Sequence, residues 1–468
     1  MIFTEFRFLL FFSIVFGLYW VMQRNTARKV LILLTSYLFY GAWDWRFLSI
    51  LMGSTLVDYY VSLRIAETER PRPRRHWLLV SLATNLGVLG VFKYFNFFAD
   101  SATHLFGRLG LPVNSVTLNL VLPVGISFYT FQTLSYTLDV YFGKLAPERN
   151  LLNLACFIAF FPQLVAGPIV RAIDFLPQLQ TPRRFTQVDV RACLILFLVG
   201  FFKKACVSDN LAPLVDTYFS APESYTALSA WIGVLSYAVQ IYCDFSGYSD
   251  MAIAVAGLLG YELCLNFDAP YFASSITAFW RRWHISLSTW LKDYLYIPLG
   301  GNRGGELMTY RNLLLTMLLG GLWHGAAWTF IFWGGLHGAA LVVHREWSKR
   351  VNAYSLLSQT AGVWGIFLTF YWVCFTWIFF RADSFATALT VVHGYVFLQS
   401  PGSQQLPVGL LAAFAVLAIL HRFFSQPKWK AQLLQLPPQL FATGYGFATA
   451  ALLTLMPTGY VPFIYFQF

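Results

Sequence analysis

Charge is scarce in this sequence. Only 11% of its 468 residues are Asp, Glu, Lys or Arg, where a soluble domain averages about 25%. Set against 57% hydrophobic and 19% aromatic residues, that scarcity argues against soluble domains and for a polytopic membrane protein, because a hydrocarbon core tolerates few ionisable groups. Cysteine is sparse as well. Cys156, Cys193, Cys206, Cys243, Cys264 and Cys374 all sit in or beside apolar stretches, and no two are spaced Cys-x-x-Cys. A disulfide framework and a zinc ribbon are therefore not indicated, and buried small hydrophobes are the expectation. GxGxxG, a Walker-type loop, GxSxG and His-Glu-x-x-His are missing too, which sets aside nucleotide hydrolysis, a serine-hydrolase fold and a zincin. Low-complexity tracts are absent. The sole internal repeat, GGLWHGAA followed by GGLHGAA, is too short to mark a solenoid or an inverted-repeat transporter. The N-terminus has no basic lead-in and no small-residue cleavage site, so it reads as a retained first span.

What charge there is falls in a pattern. The net value of +11 would suit nucleic acid, but the cations cluster in short links between apolar runs. They are Arg24, Arg28 and Lys29, then RIAETERPRPRRH ending at His76, then the segment from Arg281 to Arg311. That is the distribution of cytoplasmic loops under the positive-inside rule. Apolar runs lie at about 6–22, 30–43, 47–63, 77–98, 116–141, 151–170, 190–207, 226–260, 312–343, 360–380, 406–424 and 441–465; a span needs about 20 residues. The expectation is an all-α polytopic membrane protein, a single domain over residues 1–468, with about 10–12 transmembrane helices. Placing 23–29 and 64–76 in the cytoplasm puts the N-terminus outside. The runs 226–260 and 312–343 are too long for one upright helix, so each is two segments, a steep tilt or a glycine-broken helix. The basic loop 171–191 breaks the alternation of sides and predicts re-entrant or broken helices, which survive in a membrane only inside protein or along a cavity. A central funnel would supply that cavity.

Three groups of polar residues at membrane depth are candidates for chemistry. In YAVQIYCDFSGYSDMAIA, a helix places Gln240, Asp244 and Tyr248 on one face and Asp250 on another. Buried carboxylates are costly unless paired, so Asp244 and Asp250 call for partners, whether they hold helices together or take part in function. The segment SITAFWRRWHISLSTWLKDYLYIPLGGNRGG is too polar to cross a bilayer and predicts an interfacial or re-entrant helix pair on the cytoplasmic side. Its Arg281, Arg282, Lys292 and Arg303 suit the phosphates of an anionic donor such as coenzyme A, or equally lipid headgroups. His284 lies within it. Finally, GGLWHGAAWTFIFWGGLHGAAL carries His324, beside Trp323, and His337. On one continuous helix they would be about 20 Å and about 140° apart and could not share a site. His337 and His344 would share a face. A neutral imidazole suits general-base work, and the nearby polar groups favour His324 over His337 for it, with His337 a packing residue.

At these residues the chain resembles the membrane-bound O-acyltransferase family, in its bacterial exopolysaccharide branch. The matching stretches include LPVGISFYTFQTLSYTLDVY, FFPQLVAGPIVR, GFFKKACVSDNLA, YCDFSGYSDMAIA, NFDAPYFASSITAFWRRWHISLSTWLKDYLYIPLGGNRGG and YRNLLLTMLLGGLWHGAAWTFIFWGGLHG, with the best-matched core at 116–385. The last 80 or so residues fit loosely, apart from the closing PFIYFQF. The chain departs from the family at Ala327, where relatives often carry asparagine. The resemblance implies a helix ring around a funnel and acetyl transfer from a cytoplasmic donor, acetyl-CoA, with no bound cofactor or metal. It implies that His324 is the essential histidine and His284 the second one. It also implies a multi-pass protein of the bacterial inner membrane. Its partners would be periplasmic or membrane-anchored acetyltransferases and a polysaccharide synthase and export complex, with alginate or bacterial cellulose as the polymer. D-alanyl transfer to teichoic acid, within the same family, and a proton-coupled lipid or sugar-lipid transporter are the competing expectations.

Overall fold

The computed structural model describes residues 1–111, 114, 116–351, 361–457, 459 and 463. Among them no β-strand forms, and a lone bridge joins Tyr225 to Gln404. The chain divides into two compact units, Met1–Val190 with Ala252–Cys264, and Arg191–Met251 with Leu265–Phe468.

The first unit holds α1 (Phe6–Val21), α2 (Asn25–Asp44), α3 (Leu48–Glu67), α4 (Pro71–Leu89), α5 (Phe95–Arg108), α6 (Ile126–Tyr141), α7 (Leu151–Ala159), α8 (Phe161–Leu164) and α9 (Ala172–Gln180). A π-helical turn at Gly90–Tyr94 joins α4 to α5. The interior is built on α6, which buries 14 of its 16 residues. Its start is possible because Gly125 takes φ +73°, and a Cβ there would stand 2.7 Å from the Leu164 carbonyl oxygen. A helix buried on every side must satisfy its polar groups within the protein. Thr137 donates to Asp58 at 2.9 Å, and Asn85 of α4 donates to the same carboxylate at 2.7 Å, as does Ser81. Asp58, fully buried, thus ties α3, α4 and α6 together.

Two expectations change here. Arg28 and Lys29, read as loop cations, are buried within α2. Arg28 donates to the carbonyls of Met22 and Arg183, and Lys29 donates to Asn153 at 2.7 Å. The run 151–170 is not one span but the 9-residue α7 and the 4-residue α8. Hydropathy is continuous there, but Pro162, which lacks an amide N–H, and Gly167, whose added Cβ would stand 2.4 Å from the Gln163 Cα, break the helix.

The second unit contains α10 (Val190–Phe201), whose first residue belongs to the first unit, α11 (Asp209–Ser220) and α12 (Ala227–Leu258), whose last turns belong to the first unit. It continues with α13 (Ile276–Trp280), α14 (Ile285–Leu291), α15 (Glu306–His324), α16 (Trp328–Val351), α17 (Ala361–Arg381), α18 (Phe385–Phe397), α19 (Gly409–Phe424), α20 (Pro427–Leu434) and α21 (Pro438–Thr454). The two long runs resolve differently. The first, 226–260, is one 32-residue helix, about 48 Å long at 1.5 Å per residue. The second, 312–343, is a hairpin of α15 and α16.

Among the described residues, two helical stretches, Pro71–Arg108 and Gly362–Arg381, are both long and apolar enough to cross a membrane, and Phe6–Val21, Phe385–Phe397 and Gly409–Phe424 are shorter apolar helices. That is fewer than the expected spans, because several long helices carry charges inside their length, Asp244 and Asp250 in α12 and Asp58 in α3 among them. Elsewhere the outer faces are apolar. Val363, Trp364, Phe367 and Leu368 of α17 are all more than 60% exposed, and α19 and α21 bury no described residue. Apolar surface of this extent suits lipid and not water. The cysteines are all unbridged. Cys156, Cys243 and Cys374 are buried as expected, but Cys193 and Cys206 are half-buried and Cys264 is exposed. Of the closing PFIYFQF, Phe463 alone lies within the described residues, and most of the last apolar run beyond 457 lies outside them.

Candidate active site

The glycines of the GGL…HG repeat build the hairpin that carries His324. A Cβ on Gly321 would stand 2.2 Å from the Phe330 carbonyl oxygen, and one on Gly334 would stand 2.2 Å from the Met317 oxygen. The second glycine of the first phrase therefore faces the first glycine of the second, and α15 and α16 touch backbone to backbone. Small residues permit that approach. Gly325 then turns extended, at φ −154° and ψ 148°, with the Phe330 ring occupying the space a side chain would need. The helix accordingly ends on His324.

This break alters the relation of the two histidines. They do not lie 13 residues apart on one helix but flank one indole, with ring centroids 5.2 Å from Trp333 to His324 and 4.8 Å from Trp333 to His337. Their roles still differ. The Trp280 indole N–H, which can only donate, donates to His337 Nδ1 at 3.3 Å. The proton of neutral His337 is therefore on Nε2, which lies 2.9 Å from Thr376 Oγ1, a hydroxyl whose own proton goes to the Val373 carbonyl. Both ring nitrogens are engaged and no lone pair is left for a base. One helical face of α16 also brings His344 Nδ1 within 3.0 Å of Thr277 Oγ1, so His337 and His344 both lock α16 to α13.

His324 is enclosed by aromatic rings. Trp323, Trp333 and Phe380 stand edge-on at 5.0, 5.2 and 5.3 Å. The His284 ring comes next, 6.4 Å from His324 between centroids, and both residues are buried. His284 belongs to a sharp corner. It takes the left-handed conformation, φ +43° and ψ 56°, between α13 and α14. The segment 266–268 holds that corner from outside, with the Ile285 N–H donating to the Asn266 carbonyl and the Asp268 N–H to the Arg282 carbonyl, both at 2.9 Å. Phe245 of α12 covers the His284 ring at 4.6 Å, and Phe463 packs edge-on against Phe245 and tilted against Tyr248.

The carboxylates of α12 find their partners in the two adjacent lysines of GFFKKAC. Gly200 and Gly247 make the approach, since a Cβ on either would stand 2.6 Å from the carbonyl oxygen of the other. Immediately after, the chain passes through a π-helical turn, Phe202–Ser208, and Lys203 and Lys204 diverge. Lys203 pairs with Asp250 at 2.7 Å. Lys204 pairs with Asp244 at 2.5 Å and with Asp209 at 2.7 Å. The need for partners was readable in the sequence; their identity was not. Gln240, on the Asp244 face, is buried. Arg281, Lys292 and Arg303 are exposed and Arg282 is half-buried; Lys292 has Asp293 3.6 Å away. The structure thus gathers His324, His284 and Trp323, leaves the four candidate donor-binding cations at the surface or near it, and places Asp244 and Asp250 in ion pairs. Sequence reasoning gave no site role to Lys203, Lys204 and Asn266, although all three fall in stretches that match the family, GFFKKACVSDNLA and the one that opens at Asn266.

The model of the MBOAT, membrane-bound O-acyltransferase family, matches residues 145–381, a range that includes both histidines. A protein of Pseudomonas aeruginosa named "Probable alginate O-acetylase AlgI" is 43% identical over 91% of this chain and 83% of its own length. The peptidoglycan O-acetyltransferase of Helicobacter pylori is 38% identical over 81% of this chain and 76% of its own. The teichoic acid D-alanyltransferase of Bacillus subtilis is more distant, 28% identical over 57% of this chain and 70% of its own.

Proposed function

The chain belongs to the membrane-bound O-acyltransferase family, and from that premise we propose that it passes acetyl groups from a cytoplasmic thioester, acetyl-CoA, towards the hydroxyls of an extracytoplasmic polysaccharide. It is a membrane protein and an acyltransferase; the relatives named above support O-acetyl transfer. Alginate is the first acceptor to consider, since the alginate relatives cover nearly the whole chain, and peptidoglycan, which the sequence alone did not suggest, is the second. Bacterial cellulose is the third. D-alanyl transfer ranks below these because its representatives match less of the chain.

The observation that carries the reading is the meeting of His324 and His284, 40 residues apart in sequence, as two buried rings 6.4 Å apart between centroids. His324 is the proposed general base. It takes the proton from the acceptor hydroxyl as that oxygen attacks the thioester carbonyl carbon. A C–O bond forms, the C–S bond breaks, and the sulfur leaves as the coenzyme A thiolate, which recovers a proton to become the thiol. Enclosure by Trp323, Trp333 and Phe380 excludes water that would otherwise hydrolyse the thioester. His284 is the companion group at the same site. Arg281, Arg282, Lys292 and Arg303 are the proposed cations for the donor phosphates. The expected setting is one multi-pass domain of the bacterial inner membrane, with its 10–12 or so spans ringing a funnel, working with periplasmic acetyltransferase partners and a polysaccharide synthase.

Proteoliposomes holding the purified chain test the class of activity. With radiolabelled acetyl-CoA outside, label should leave the coenzyme and appear as acyl product or acyl-enzyme. Intact acetyl-CoA throughout, with proton-coupled movement of a lipid-linked sugar, would favour the transporter instead.

A further inference from the structure

We propose that Asn266 is a positioning residue that holds neutral His284 in its Nδ1–H form, so that the lone pair of the ring is on Nε2. The inference rests on the reading of His284 as a member of the active site. The orientation of the Asn266 amide is set by its surroundings. Its Oδ1 accepts the backbone N–H of Ser286 at 3.2 Å and the Ser286 hydroxyl at 2.9 Å, while its NH₂ donates to Ser249 Oγ at 3.1 Å. A backbone N–H demands an acceptor, so the atom on that side is the oxygen. His284 Nδ1 lies 3.1 Å from this same oxygen. The Ser286 hydroxyl also stands 3.5 Å from Nδ1, but its proton goes to the nearer Oδ1, at 2.9 Å, and an acceptor cannot face an acceptor in a buried site, so Nδ1 carries the proton and donates it.

Asn266 also shapes the backbone that presents the ring. Its carbonyl accepts the Ile285 N–H at 2.9 Å and its side chain caps the first turn of α14 through Ser286. These bonds brace His284 in the left-handed conformation, which a residue with a Cβ adopts only under local support. The contrast with His337 is direct. The indole of Trp280 forces the opposite tautomer there and both nitrogens are engaged. Two histidines of the same unit are thus set in opposite protonation patterns by the groups bonded to their Nδ1 atoms, Trp280 for His337 and Asn266 for His284.

The test uses the full chain in lipid nanodiscs with ¹⁵N-labelled histidine imidazoles, the His284 signal being identified by its loss in His284→Gln. Wild type should show His284 as the neutral Nδ1–H form. Asn266→Asp keeps an acceptor for both His284 and Ser286, so it should keep that tautomer and most of the transfer rate. Asn266→Leu should lose the tautomer and lower kcat by about tenfold or more, with KM for acetyl-CoA unchanged. A role confined to capping α14 would leave the tautomer unmoved in every folded variant. A wild-type signal of the Nε2–H form overturns the proposal, whatever the activities, as does an unchanged tautomer in folded Asn266→Leu. Wild-type transfer by His284→Gln would instead overturn the reading of His284 as an active-site group, because the tautomer signal is recorded independently of turnover.

Discussion

Lys204 should be the most sensitive single charge in the second unit. Its side chain is 2% exposed, and the ammonium stands 2.5 Å from Asp244, whose side chain is also 2% exposed, and 2.7 Å from Asp209. One cation against two anions gives the trio a net charge of −1. Lys204→Met leaves −2 with no cation between the carboxylates, and removing one member of a buried pair in this way costs about 3–5 kcal/mol. Asp244→Asn leaves Lys204 paired with Asp209 at zero net charge, and the amide oxygen still accepts from the ammonium, so about 1–2 kcal/mol is lost. The triple variant Lys204→Met, Asp209→Asn, Asp244→Asn has no charge left to solvate and should recover most of the loss. Equilibrium unfolding in mixed micelles, followed by tryptophan fluorescence, measures each value, and a double-mutant cycle on Lys204 and Asp244 should return a coupling of about 2 kcal/mol. Wild-type stability for Lys204→Met, or equal losses for Lys204→Met and Asp244→Asn, would refute the electrostatic reasoning.

Gly334→Ala drives a Cβ to 2.2 Å from a carbonyl oxygen of α15, while Gly335→Ala meets only Leu318 at 3.4 Å; the first should cost about 1–3 kcal/mol and the second little, by the same unfolding assay. Asp58→Ala strands the donors of Ser81, Asn85 and Thr137, and a loss of about 3 kcal/mol or more should appear as lower membrane abundance and earlier unfolding. His337→Ala removes the partner of Trp280 and Thr376. It should lower stability by about 1–3 kcal/mol while the remaining folded protein transfers acetyl at a near-normal rate, measured per mole of protein in proteoliposomes.

The membrane class was legible because scarcity of charge is a property of composition and survives any arrangement of helices. The hairpin was half legible. The repeat GGL…HG announced small residues and excess length, but only the meeting of Gly321 with Gly334 decides between a kink and two antiparallel helices. Separation of His324 from His337 was a correct inference from a continuous helix, and the helix is not continuous; what distinguishes the two residues is their partners, Trp280 and Thr376 on one side and His284 on the other. Asp244 and Asp250 signalled by cost alone that cations were near. That these are adjacent residues, Lys203 and Lys204, spread apart by a π-helical turn, depends on a helix crossing at Gly200 and Gly247 that no periodicity encodes. Hydropathy misled over 151–170 because it counts apolar residues and ignores Pro162 and Gly167, which decide whether those residues can form a single helix.

The central claim is that His324 is the base. The direct measurement is the acetyl content of the polysaccharide in cells whose own copy is replaced by His324→Ala, compared with His337→Ala, at matched amounts of protein in the membrane. Acetylation should be abolished by the first substitution and largely kept by the second. Full acetylation with His324→Ala would contradict the account.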